Sequence, residues 1–163
     1  MPKPRVYIET SIPSFYYTVR EDPASVARRD WTRHWWDFKR IEYEACGSEA
    51  VLDELARATQ PARSKMLRLF QELPLLEVTE AIVLIAEGYV RNRVMPADIS
   101  GDALHLALAS YYRCDFLLTW NCRHLANANK FRHIQRVNTT MGLFIPNMVT
   151  PLELIGEEAD HEI

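Results

Sequence analysis

Glu9, Glu54, Asp102 and Asn121 are the side chains of this sequence whose type and position could do chemistry together. Each carries oxygen, and each falls where a strand is expected to end or on the helix that follows one. In an open parallel sheet, ligands bind in the crevice beyond the carboxyl ends of the strands. Oxygen ligands brought there from distant parts of the chain suit a hard divalent cation. Taken singly, three of them have ordinary explanations. Asp102 lies in the first turn of an expected helix, where the dipole stabilises a carboxylate. Glu54 follows Asp53 in mid-helix, where acids are usually solvated. Asn121 could cap the next helix. Glu9 is harder to dismiss, because a charge closing an apolar strand is costly unless something compensates it.

The elements that must position these groups follow from patterning. Short β-rich runs alternate with helical ones, which predicts parallel strands joined by crossover helices. Val6 to Glu9 reads as the first strand, ending at Thr10-Ser11, with Ser11 as the cap of the next helix. A helix is expected from Ser25 to about Ile41, with Trp31, Trp35 and Phe38 on one face. A weak second strand, 42–46, stops at Gly47, and Ser48 caps a helix running to about Thr59. Pro61 opens a helix through Leu67 and Phe70, and 75–78 is a third strand. A longer helix starts at Thr79 or Glu80, and a loop at 95–98 breaks it. Ser100 then caps the helix carrying Asp102, with Leu104, Leu108 and Tyr111 on its apolar side. Phe116 to Trp120 is a continuous apolar strand, as expected when helices cover both faces. A helix at 123–130, a strand at 134–137 and an edge element near Met148-Val149 complete an α/β, three-layer α/β/α sandwich. Its mainly parallel central sheet has four to five strands.

The bulk numbers agree with one soluble domain. The chain has 163 residues, 48% hydrophobic and 25% charged, enough for a single buried core. The expected division is a domain over 1–152 and an acidic tail over 153–163. No apolar run is long enough to cross a bilayer. The N-terminal run enters a strand without a signal-peptide core, so a cytoplasmic location is expected. Cys46, Cys114 and Cys122 form no C-x-x-C pair, which argues against a disulfide framework or thiolate zinc site and for reduced, partly buried thiols. The net charge of −3 arises from 22 acids and 19 bases. Glu153, Glu157, Glu158, Asp160 and Glu162 crowd the tail, so the body is slightly basic. That excess is too small to prove nucleic-acid binding.

Four segments, YIETS (7–11), SEAVLDEL (48–55), GDALHLALA (101–109) and DFLLTWN (115–121), together resemble the motif regions of the PIN-domain family. Within that family the chain is most similar to the VapC-like toxins of toxin–antitoxin pairs, over about residues 5 to 150. The resemblance implies a ribonuclease that uses Mg²⁺ or Mn²⁺. Its acidic quartet would fall on Glu9, Glu54, Asp102 and Asn121, with Asp115 as an auxiliary metal ligand. Thr10 or Ser11 would orient a ligand or a water. Independently of the resemblance, Arg123 lies immediately beyond Asn121 and is the base most readily assigned to a phosphate. A small antitoxin and a homodimer are implied as partners. The chain departs from the family pattern at Glu9, where Asp is usual, and at Asn121, where an acid is usual. Those departures keep a second expectation open, a catalytically weak PIN-fold module that binds RNA or protein.

Two further groups have competing readings. His105 shares a helix face with Asp102 and is expected to pack through hydrogen bonds rather than to ligate metal. Trp31, Trp35, Trp36 and Phe38 lie among Arg28, Arg29, Arg33, Lys39 and Arg40. The core-like spacing favours packing, with Trp36, Arg29, Arg33 and Arg40 left as candidates to grip unpaired bases.

Overall fold

A computed structural model describes residues 2–95 and 99–156. Five strands, β1 (Arg5–Ile8), β2 (Glu44–Ser48), β3 (Leu75–Leu76), β4 (Phe116–Leu118) and β5 (Asn147–Val149), form one sheet. Their order is β3-β2-β1-β4-β5, and every neighbouring pair runs parallel. The expected α/β architecture is observed.

Among the described residues, seven α-helices connect the strands: α1 (Ser11–Tyr16), α2 (Pro23–His34), α3 (Glu49–Ala56), α4 (Ala62–Phe70), α5 (Glu80–Arg91), α6 (Leu104–Tyr111) and α7 (Ala128–Met141). Right-handed crossovers place α1 to α4 on one face and α5 to α7 on the other. The helix contacts agree. α1 packs on α2 and α4, and α5 packs on α6. A buried knot of Tyr89, Ser110 and Asn138 ties α5, α6 and α7 together. The core between the layers contains Val6, Tyr7, Ile8, Leu106, Leu108, Leu117 and Leu118, all fully buried.

This order puts the topological switch between β1 and β4. From β1 the chain builds outward through β2 to β3, then returns to the far side of β1 for β4 and β5. Ile8 is in register with Leu118, and the Glu9 N–H donates to the Leu118 carbonyl at 3.1 Å. Glu9 therefore leaves the sheet beside Thr119, in the crevice where such folds bind ligands.

Local chemistry explains most boundaries. Ser48 caps α3 as expected, accepting from the Val51 N–H at 3.2 Å. Gly47 lies inside β2 rather than ending it, because a Cβ there would stand 2.5 Å from Phe70 Cε1. α7 ends at Gly142, whose φ of +70° is the left-handed conformation that closes helices.

Several expectations are corrected. Thr10, not Ser11, is the N-cap of α1, and neither side chain caps it. The strand expected at 134–137 and the helix expected at 123–130 are replaced by α7. Ile134, Val137 and Asn138 are buried at helical spacing there, so packing overrides the β-branched bias of two residues. Trp31, Trp35 and Phe38 do not share a buried face, since Phe38 is 67% exposed and Trp36 is buried. After His34 the helix widens into a π turn over Trp35–Lys39, and that change of pitch swings Trp36 inward and Phe38 out. Tyr111, expected on the apolar side of α6, is exposed at its end. The third strand is shorter than expected, covering only Leu75–Leu76. Cys46 and Cys114 are buried as expected, but Cys122 is exposed.

The chain stays packed as far as Ile155, which is buried. The rest of the acidic tail, 157–163, lies outside the described residues, as do most of the loop at 95–98 and the capping side chain of Ser100.

Candidate active site

Glu9 is 94% buried, its exposure being 6%, and three donors satisfy it. Ser11 gives Oε2 its backbone N–H at 2.8 Å and gives Oε1 its hydroxyl at 2.7 Å. Thr119 Oγ1 donates a short bond to the same Oε1. Ser11 Oγ also accepts the Trp120 N–H at 2.8 Å, and Thr119 Oγ1 accepts the Asn121 N–H at 2.9 Å. The acid that ends β1 is thus laced to the segment that ends β4. This resolves the cost of burying its charge, since several hydrogen bonds compensate it. Ser11 is part of that lacing rather than a helix cap.

Glu54 arrives from α3 and meets His105 from α6, with Oε1 and Nε2 2.7 Å apart. The other ring nitrogen, Nδ1, lies 2.7 Å from Tyr7 Oη, and Tyr7 Oη lies 2.8 Å from Ser48 Oγ. Ser48, Tyr7, His105 and Glu54 form one chain of bonds joining β2, β1, α6 and α3. Burial pushes the Glu54 carboxyl up, but the hydrogen bond and charge of His105 outweigh it and hold the carboxyl below its ordinary 4.5. Burial pushes the His105 imidazole down, but the Glu54 hydrogen bond and the charges of Glu9, Glu54 and Asp102 raise it above its ordinary 6.5. Burial raises the Tyr7 hydroxyl well above 10.0, so it stays neutral.

Asp102 and Asn121 meet directly. Gly101 is non-helical, at φ −121° and ψ −108°, and Asp102 follows it just before α6. Asn121 Nδ2 donates to Asp102 Oδ1 at 2.8 Å. The amide oxygen faces the opposite way, accepting the N–H groups of Arg123 and His124 at 3.2 and 3.0 Å. Two backbone donors require an acceptor there, which fixes the amide orientation. Asn121 therefore offers the crevice a donor instead of the ligating oxygen expected of it.

Asp115 lies elsewhere. Its carboxylate accepts the Arg5 N–H at 2.8 Å, at the start of β1 and β4, not at their ends. The three residues of β4 separate it from Thr119, a four-residue span of roughly 13 Å. The expected auxiliary ligand is a structural clamp on the opposite rim.

Thr10 keeps a place at the centre. Its Oγ1 is buried with no partner at bonding geometry, although its proximity to Glu54 favours the carboxylate. Arg123 is exposed just beyond Asn121. Trp36, Arg29, Arg33 and Arg40 are otherwise engaged. Trp36 is buried, with Arg40 over its ring and paired with Glu72 at 2.9 Å. Arg33 bonds the Tyr16 carbonyl and Arg29 pairs with Asp30. Sequence reasoning missed the role of Thr119, although a hydroxyl in the last turns of a strand beside a buried acid was its signal.

The donor set facing this crevice is hard oxygen, which suits Mg²⁺ or Mn²⁺. Among the described residues, no three His, Cys, Asp or Glu side chains are grouped closely enough to cage an ion. The fit is to an ion held by one or two carboxylates and completed by water, the usual manner of Mg²⁺. The Thr10 hydroxyl, buried near Glu54, would be a polar group for such a hydration shell.

No protein-family model and no curated protein matches the chain in sequence. Among solved structures it resembles a chain of the crystal structure of VapBC2 from Rickettsia felis bound to a DNA fragment from their promoter. The TM-score is 0.51 over 90% of this chain and 98% of that one, at 11% identity. The fold is PIN-like. Identity that low speaks for the fold alone. Among the described residues, no helix is long and apolar enough to cross a membrane.

Proposed function

We propose that this PIN-like chain is a metal-dependent endoribonuclease, the toxin half of a toxin–antitoxin pair. The observation that carries the proposal is the bonded chain from Glu9 through Thr119 and Asn121 to Asp102 beyond the ends of β1 and β4, with the Glu54–His105 pair three residues on from Asp102. Asp102 and Glu54 would hold Mg²⁺ or Mn²⁺, with Glu9 acting behind them through Ser11 and Thr119. The bound ion would lower the pKa of a water and offset charge on the phosphoryl oxygens. His105 holds Glu54 in place, and Asn121 holds Asp102 through its amide N–H. Arg123 stands exposed at the rim, where a phosphate can reach it. The fold likeness to VapBC2 supports a small antitoxin partner, and a homodimer remains the expectation from family resemblance.

The test is RNA cleavage by purified protein with Mg²⁺ or Mn²⁺, with EDTA, and with Asp102→Asn. Cleavage is expected only for the parent with metal. Undiminished cleavage by Asp102→Asn would refute the assignment.

A second reading is a PIN-fold RNA-binding or protein-interaction module with little catalysis. It is favoured by the saturation of Glu9 and by the turned-away oxygen of Asn121. RNA binding unchanged by EDTA, with no cleavage under any metal, selects it.

A further inference from the structure

Next to the acids lies an aromatic surface that the catalytic reading leaves unused. Trp120, one residue before Asn121, is nearly buried. Trp31 stacks on it, with ring centroids 6.1 Å apart and planes 28° apart. Phe15 meets it edge-on at 6.2 Å. Both flanking rings remain half-buried, with part of each open to solvent. The Arg28 guanidinium lies over Phe15 and Trp120 together, 5.6 and 5.4 Å from their centroids. Below Phe15 a pocket of about 290 Å³ opens between Ser14, Thr18 and Arg20.

This surface is fixed to the reaction centre. The Trp120 N–H is held by Ser11 Oγ, the same hydroxyl that holds Glu9. The Trp120 indole N–H is held by Thr32 of α2 at 2.7 Å. Ser14 lies three residues beyond Ser11 on α1, a rise of roughly 4.5 Å. The pocket thus lies within one helical turn of the hydroxyl that holds Glu9. An aromatic face, a guanidinium, two hydroxyls and an exposed Arg are the components with which proteins grip unpaired bases.

We propose that Phe15, backed by Trp120 and Arg28 and opening onto the Ser14–Thr18–Arg20 pocket, is the stacking subsite for an unpaired base flanking the scissile phosphate. A duplex cannot use the site, since its bases are already stacked and paired. This inference rests on the nuclease reading for its orientation but not for its test.

The experiment measures anisotropy of a labelled short single-stranded RNA, and of the same sequence as a duplex, with full-length Asp102→Asn protein. Three further substitutions are made in that background: Phe15→Leu, Phe15→Tyr and Arg20→Ala. Leu fills the packing volume but offers no π face, whereas Tyr keeps it. Phe15→Leu is expected to bind the single strand roughly tenfold more weakly, within the range for one base stacked on one aromatic. Phe15→Tyr should bind like the parent, and the exposed Arg20→Ala should lose about threefold, a modest electrostatic loss. Duplex binding should be weak and unchanged throughout. The inference is overturned if Leu and Tyr behave alike, if Arg20→Ala binds as the parent does, or if the duplex responds equally. Should the chain without Asp102→Asn fail to cleave RNA while Phe15→Leu still weakens binding, the nuclease reading fails and the subsite stands. Cleavage that persists with binding indifferent to Phe15→Leu rejects the subsite alone.

Discussion

Replacing His105 by Leu tests the strut beneath the acids. His105 is 1% exposed and uses both ring nitrogens, one toward Glu54 and one toward Tyr7. Leu fills most of the space but leaves Glu54 without its cation, while Tyr7 keeps Ser48. Removing one partner of a buried ion pair costs ~3–5 kcal/mol. The Glu54 side chain stays 25% exposed and can recover water, so a loss of about 3 kcal/mol is expected. The loss should depend on pH with a definite sign. His105 titrates above its ordinary 6.5, so its charged contribution is complete below 6.5 and fades as pH rises through the raised value. Glu54 titrates below its ordinary 4.5, so its contribution is complete above 4.5 and fades as pH falls through the lowered value. The difference between parent and variant should therefore peak between about pH 4.5 and 6.5. It should shrink at alkaline pH toward the ~1 kcal/mol of a neutral hydrogen bond. Urea unfolding of both proteins with EDTA, across that pH range, supplies the measurement. A loss below 1 kcal/mol, or a difference flat in pH, would refute a charged His105–Glu54 pair.

Three further outcomes follow from the geometry. Thr119→Val keeps the shape of the side chain but removes its bonds to Glu9 and to the Asn121 N–H. RNA cleavage should fall ~10–100-fold, the range for groups that orient metal ligands, with binding of the Phe15 subsite retained. Asp115→Asn should leave cleavage unchanged in the same assay, since that carboxylate clamps Arg5 at the far rim. Gly47→Ala should destabilise by ~1–3 kcal/mol in denaturant titration, because its Cβ must displace the Phe70 ring.

Much of the fold was legible in the sequence. The alternation of short apolar runs with amphipathic ones gave the layers, and parallel strands place their last residues on one rim. Glu9 could therefore be placed at that rim from its strand end, while Glu54 and Asp102 depended on the helices expected to carry them. Asp115 could have been excluded by the same rule, since it precedes its strand while Glu9 follows one. Asn121 was legible in place but not in orientation, because its rotamer answers to the N–H groups of Arg123 and His124. The Ile134–Val137 stretch misled because β-branched residues at helical spacing satisfy both patterns. The π turn that buries Trp36 depends on how α2 meets the rest of the fold, and spacing alone carries no trace of it.

The split loyalty of the Asn121 amide bears on electroneutrality. The neutral amide brings Asp102 an N–H donor without adding a negative charge to the crevice. An Asp at 121 would still close the turn, but it would set one carboxylate against another where an N–H now faces Asp102. Such a swap adds a charge for a cation to offset instead of repairing a deficient quartet.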